Sequence, residues 1–553
     1  MIVILMALLQ GLGVFQAVSA QNPTYTELYR PQYHFTPPKH FMNDPNGLLY
    51  YKGIYHLFYQ YDPNGSATSW GHATSSDLTH WEQQPIALLA RGYPTNVTEL
   101  FWSGSAVADV DNTSGFGHNG KIPLVAMYTS NYKYAQTLPS GKKVQKNQQS
   151  QSIAYSLDDG MTWTTYDAVN PVILDPPTAY SDQSLNFRDP YIFWHKPTKK
   201  WIAVLSLPVL HKLLIYTSKD LKDWAVASEF GPVNAVGGAW ECPNLFPLPV
   251  DGNDANVKWV VMVGLNPGGP PGTIGSGTQY VVGNFDGTTF IADTDSISVD
   301  QTSFSNSSAP SQVANWVDWG PDFYAAQVYN GLPSDEHVAI GWMNNWQYAS
   351  LIPTDPWCGA MSTPRKFSLK RINGKATLVQ DPTENWGSLV SHKGLDQSWS
   401  SVTGGTKSLG DVGKALQVEL SFSDRAPAVS GSSQFGIIVR ATPDLKEQTR
   451  VGYDFSTKRL FIDRTQSGNV SFDDTFADTY YAPLAADAKG KINMRIYVDW
   501  SSVEVFGGQG ETTITAQIFP SNNATYAQIF SVGGDTQHVK VGINQVSSAW
   551  TIR

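Results

Sequence analysis

Short runs rich in Val, Ile, Tyr, Phe and Trp, bounded by Gly, Pro, Asn or Asp, recur along the chain, and almost no long segment carries a 3.6-residue apolar period. This pattern predicts strands closed by tight turns, an all-β protein. SSDLTHW (75–81), SLDDGMTW (156–163) and SKDLKDW (218–224) each set an Asp four residues before a Trp, just after an apolar β run. Strand-turn-strand units at long, irregular spacing suggest propeller blades. In each unit the Asp ties the turn and the Trp packs between sheets, so Asp77, Asp159, Asp220, Trp81, Trp163 and Trp224 are assigned to structure. Past about residue 365 the units cease. The segment RKFSLKRINGKATLVQDP leads into strands such as LQVELSFS and RIYVDWSSVEVFGG, whose alternation suits two stacked antiparallel sheets.

Composition narrows the function classes. At 553 residues, 41% hydrophobic and 15% charged, the chain has ample core and is not a candidate for disorder. A formal net charge of -10 without a basic cluster argues against nucleic acid or an anionic membrane surface as partner. The N-terminus MIVILMALLQGLGVFQAVSA ends in small residues that suit cleavage before Gln21, and is read as a signal peptide despite its lack of Lys or Arg. No later segment is apolar enough to span a bilayer, so the mature protein is expected to be soluble and secreted. Sequons at Asn64, Asn96, Asn112, Asn306, Asn469 and Asn523 fit that route. Cys242 and Cys358 form no disulfide framework, leaving one bridge or two buried thiols as alternatives. The expected division is a signal peptide at 1–20, a propeller at 21–370, a linker at 371–390 and a sandwich at 391–553.

Three acidic residues stand outside the repeat. Asp44 lies in FMNDPNGLLYYKG, Asp189 follows Arg188 in NFRDPYIFW, and Glu241 lies in GAWECPNLFPL. Each opens a β run beside Pro or aromatic residues. The plain reading of Asp-Pro-Asn-Gly is turn chemistry. However, the first strand of each propeller blade lines the central channel, so carboxylates from three blade openings are expected to converge there. Paired carboxylates flanking a sugar bond serve a glycosidase as ionised nucleophile and protonated acid. Arg188 is expected to keep Asp189 ionised for hydrogen bonds to sugar hydroxyls, and the apolar neighbours of Glu241 to favour its protonated form.

Those motifs carry a resemblance. From QYHFTPPKHFMNDPNGLLY through SGSAVADVDNTSGFG, NFRDPYIFW, WECPNLF and DWGPDFYAAQ to SSVEVFGGQGETTITAQIFP, nearly the whole mature chain resembles glycoside hydrolase family 32, most of all the fungal exo-inulinases. The resemblance implies a five-bladed β-propeller with a deep acidic pocket, followed by a C-terminal β-sandwich. It implies Asp44 as nucleophile, Asp189 as transition-state stabiliser and Glu241 as acid/base, acting on sucrose and fructans without metal or cofactor. Asn43, Gln60, Ser103, Arg188 and Trp346 match positions that hold the fructose ring. The loop after Gln60, YDPNGSATSWGH, is shorter than in related enzymes and keeps only one of two Trp-Gly pairs, Trp70-Gly71; Trp70 is placed near the site. VDQTSFSNSSAPSQVANW reads as a longer, Ser-rich insertion.

A secreted retaining exo-β-fructosidase is thus expected, as monomer or homodimer. A fructosyltransferase shares the triad and differs only in whether a sugar hydroxyl outcompetes water. A non-catalytic fructan-binding protein has no need of both a nucleophile and an acid. An inverting glycosidase on a similar propeller would hold its carboxylates farther apart.

Overall fold

The computed structural model describes residues 23–298, 314–391, 394–423 and 433–550. The expected signal peptide and most of the Ser-rich insertion, with Asn306, lie outside them. Five strands surround one axis: His40–Tyr51 (β1), Glu99–Ala108 (β2), Arg188–His195 (β3), Ala239–Val250 (β4) and Tyr324–Val328 (β5). Each touches the next, and β5 returns to β1. Each is the inner strand of an antiparallel blade, the fourth and fifth being joined where Val250 meets Leu369. These are the five blades expected from the family resemblance. Trp357–Cys358 pairs in parallel with His40–Phe41 and ties the end of the propeller to its beginning. Apolar faces interlock between blades, as where Val107, Val125 and Ile153 meet Ile192, Ala203 and Leu205.

Asp77 and Asp220 tie their turns as expected, accepting backbone N–H bonds from Thr79 and His80, and from Lys222 and Asp223. In the middle unit the tie is Asp158, not Asp159. Asp158 binds Ser156 and the Thr162 N–H, while Asp159 is exposed and pairs with Lys52. The turn is one residue longer here. The common feature is Ser-x-Asp, at 75–77, 156–158 and 218–220, rather than the distance to the Trp.

Side-chain amides bridge the inner strands around the axis. Gln327 accepts from the Leu48 N–H and donates to the Gly104 carbonyl, and Asn330 donates to the carbonyls of Ala106 and Ile192. Asn244 bridges β4 to Ala326 and Val328. Buried backbone groups that five splayed strands leave unpaired find partners this way.

Of the expected linker, Lys375–Pro382 is a strand paired with Arg365–Ile372 in the fifth blade, because Asn373 and Gly374 adopt positive φ and close a hairpin. A short helical segment, Glu384–Leu389, leads to the sandwich. Its two six-stranded sheets enclose a core that includes Val418, Leu420, Phe422, Phe435, Ile437 and Ile529, and Leu416–Ser423 buries alternate residues.

The domains share a buried ion network. Arg365 meets Asp318 at 2.8 Å and Glu504 at 3.5 Å, Arg464 meets Asp322 at 2.8 Å, and His34 meets Asp499 at 2.8 Å, all fully buried. Although burial opposes its charge, Asp499 and Glu504 hold the His34 pKa up at about 9; Glu504, despite burial, is drawn down to about 2 by Arg365 and His34. The His34 contribution is complete below its unfolded pKa of 6.5 and is lost as pH rises through 9; that of Glu504 is complete above 4.5 and lost as pH falls through 2. His34→Gln leaves buried carboxylates short of a cation, and is expected to cost about 3 kcal/mol near pH 6. Denaturation across a pH series should show the gap to wild type closing above pH 9; a constant gap would exclude the ion pair as its cause.

Candidate active site

All five inner strands bulge at one level. Two residues oppose one at Asn43–Asp44 against Gln60, Trp102–Ser103 against Thr129, Asp189–Pro190 against Leu205, Cys242–Pro243 against Val263, and Ala325–Ala326 against Gly341. A bulge twists its strand and re-aims a side chain. Asp189, Cys242 and Ala325 accept positive φ there, at 63°, 49° and 47°. Proline follows Asp44, Asp189 and Cys242, as Pro45, Pro190 and Pro243, at or beside the interrupted ladder, which tolerates a missing N–H. Asp-Pro-Asn-Gly is therefore not a turn ahead of a strand, as its composition suggested. It lies within β1.

The bulges bring Asp44, Asp189 and Glu241 to one end of the axis. Asp44 is buried; Ser103 donates to its Oδ2 at 2.6 Å and Asn43 to its Oδ1 at 3.0 Å. The Cys242 thiol also donates to Oδ2, at 3.3 Å, while the Cys242 backbone N–H donates to Asp189 Oδ2 at 3.1 Å. One residue thus ties two of the carboxylates together, directly after the third. Cys242 and Cys358 are both free thiols. Thr129 fixes the Asp189 backbone through its N–H at 2.9 Å.

Arg188 distributes itself differently from expectation. Its Nη2 donates to Glu241 Oε1 at 2.8 Å, whereas its Nε stands 3.7 Å from Asp189. Burial, only partly opposed by Arg188 and reinforced by Glu241 and Asp44, pushes Asp189 up to about 7, so the guanidinium does not secure its ionised form. Asp44 is raised as well, by burial first, then by the charge of Glu241, with Ser103, Asn43 and Cys242 opposing.

Glu241 has a partner that the sequence reading missed. Tyr324, on β5, donates its hydroxyl to Oε2 at 2.5 Å, and Asn266 reaches the same oxygen at 3.5 Å. The run DWGPDFYAAQ pointed to the segment but not to this residue.

Gln60 is buried opposite the first bulge and donates to the Phe101 carbonyl at 3.1 Å. Trp346 is 39% exposed, with its ring 4.8 Å from Trp342 and 6.2 Å from Phe41, beside the strand of Asp44. Trp70 differs from expectation. It is 1% exposed, packs among Phe58, Phe101 and Tyr128, and donates its indole N–H to the Trp102 carbonyl. With its one polar atom satisfied and its ring enclosed between blades, it offers no face to a ligand.

Comparison with known proteins extends this geometry to the whole chain. Residues 34–382 match the model of the glycosyl hydrolases family 32 N-terminal domain, and residues 386–546 that of the family's C-terminal domain. An extracellular exo-inulinase of Aspergillus ficuum is 59% identical over 95% of this chain and 96% of its own. A levanase of Bacillus subtilis is 41% identical over 97% of this chain and 73% of its own. The crystal structure of an exo-inulinase from Aspergillus awamori superposes with a TM-score of 0.90 at 56% identity, covering 95% of this chain and all of that one. With two consecutive family domains spanning nearly all of its length, the chain belongs to glycoside hydrolase family 32.

Proposed function

We propose that the protein is a secreted, retaining exo-β-fructosidase that releases terminal fructose from fructans and sucrose. The observation that carries this reading is the arrangement at the five bulges. Asp44 receives hydrogen bonds from Ser103 and Asn43, which fix it for attack; Glu241 stands on another inner strand with its own donors; and amide side chains bridge the inner strands around the same axis. In the first step a carboxylate oxygen of Asp44 forms a bond to the anomeric C2 of the terminal fructosyl unit. The C2–O bond to the leaving sugar breaks with its electron pair, and Glu241 delivers a proton to that oxygen. In the second step Glu241 removes a proton from water, whose oxygen displaces Asp44, and net retention results.

Both oxygens of Glu241 accept hydrogen bonds in this structure, from Arg188 and Tyr324, the pattern that suits the general base of the second step. For the first step one oxygen must carry a proton. Arg188 has a second carboxylate to turn toward, Asp189, which would take the charge while binding sugar hydroxyls. Relatives named for exo-inulinase and levanase activity support hydrolysis over transfer.

The test is product analysis on sucrose and inulin at low and high sugar concentration. Free fructose at every concentration is expected. Lengthening oligosaccharides would replace the hydrolase by a transferase.

A further inference from the structure

Five of the six sequons fall among the described residues, and their surroundings differ. At Asn112 the carboxamide is closed on Gly117, accepting from its N–H at 2.7 Å and donating to its carbonyl at 3.1 Å. A glycan on that nitrogen leaves it a single N–H, which would have to serve the Gly117 carbonyl. At Asn64 the carboxamide oxygen accepts from the Ser66 N–H and hydroxyl, both at 3.2 Å, while the amide nitrogen has no partner among the described residues and the residue is exposed. Asn96 is likewise exposed, on a loop closed by the Arg91–Glu99 bridge.

Both loops leave the propeller at its mouth. The strand Ile54–Asp62 runs back along β1, with Asp62 opposite Phe41, so its following loop emerges beyond Asp44. The loop of Asn96 ends at Glu99, where β2 begins, four residues and roughly 13 Å before Ser103. The two loops pack on one another through Ala67, Ala90 and Leu100, with Tyr93 and Val97 alongside. Two acceptor nitrogens thus stand on one ridge beside the entrance.

We propose that Asn64 and Asn96 each carry an N-linked glycan and that the pair screens the mouth against long fructans more than against sucrose. The screening rests on the exo-β-fructosidase reading above. At each site the amide nitrogen forms a bond to C1 of the first N-acetylglucosamine of a lipid-pyrophosphate-linked oligosaccharide. The lipid pyrophosphate departs with the bonding pair, and the amide proton passes to solvent. Two bulky, hydrated chains beside the entrance remove approach orientations that a polymer needs and a disaccharide does not.

The experiment uses the full chain secreted from a eukaryotic host. Treatment with peptide N-glycosidase converts occupied asparagines to aspartates, which peptide mass spectrometry reads at each position; conversion is expected at Asn64 and Asn96. Enzymatic trimming of the folded protein, and separately the double variant Ser66→Ala with Thr98→Ala, which removes both sequons but keeps both asparagines, should raise kcat/KM on long inulin about threefold and leave sucrose unchanged. An unmodified Asn64 or Asn96, or an unchanged inulin-to-sucrose ratio after both treatments, overturns the proposal. Absence of fructose release from both sugars overturns the enzymatic reading and the screening with it, whereas altered occupancy alone leaves that reading intact.

Discussion

Asp44→Ala should lose about five orders of magnitude in kcat on sucrose and remain folded. The side chain is small and buried, and water entering the space it vacates can meet the groups it leaves behind, the Ser103 hydroxyl, the Asn43 amide and the Cys242 thiol. The informative measurement is rescue. Azide can occupy the vacated face and form a bond to C2 while Glu241 still protonates the leaving oxygen, so the fructosyl azide should appear with inverted configuration. Asp189→Ala should be very slow too, because hydrogen bonds to the sugar that strengthen in the transition state are gone, but it retains its nucleophile and should give no inverted azide. Inverted product from the Asp189 variant would exchange the roles of the two aspartates.

Glu241→Gln should behave as the complement. Loss of proton donation is expected to cost roughly 10³-fold in kcat on sucrose, and far less on a fructoside whose leaving group departs without a proton. With such an activated substrate the fructosyl-enzyme still forms and then waits for a base, so azide should accelerate turnover and yield fructosyl azide of retained configuration. Opposite azide stereochemistry from the two variants would establish two faces of one reaction. Near-full activity on sucrose would remove Glu241 from it.

Much of this architecture was legible in the sequence for local reasons. Apolar alternation bounded by Gly, Pro and Asn marks strands wherever they lie. What escaped was decided across the fold. Tyr324 meets Glu241 from a strand 83 residues away, and nothing near either residue announces it. Arg188 adjoins Asp189 in the chain yet makes its closer contact with Glu241, since successive residues on a strand point to opposite sides and the bulge re-aims only one. Trp70 carried a motif that suggested the pocket, but its position between blades was settled by packing on Phe58 and Tyr128. The assignment of Asp159 failed because spacing from the Trp was counted where spacing from the Ser mattered. The buried network of His34, Arg365 and Glu504 joins positions hundreds of residues apart, beyond the reach of any periodicity.

The amide stitching of Gln327 and Asn330 also bears on how a polymer is consumed. If these amides leave no passage along the axis, a freed fructose can leave only through the opening that the remaining chain occupies. The shortened fructan must back out before the sugar can follow, and another chain end is as free to enter next as the same one. Degradation is then distributive: chains in a mixture shorten together, one unit per encounter, and no single chain is digested to its end while its neighbours stay intact.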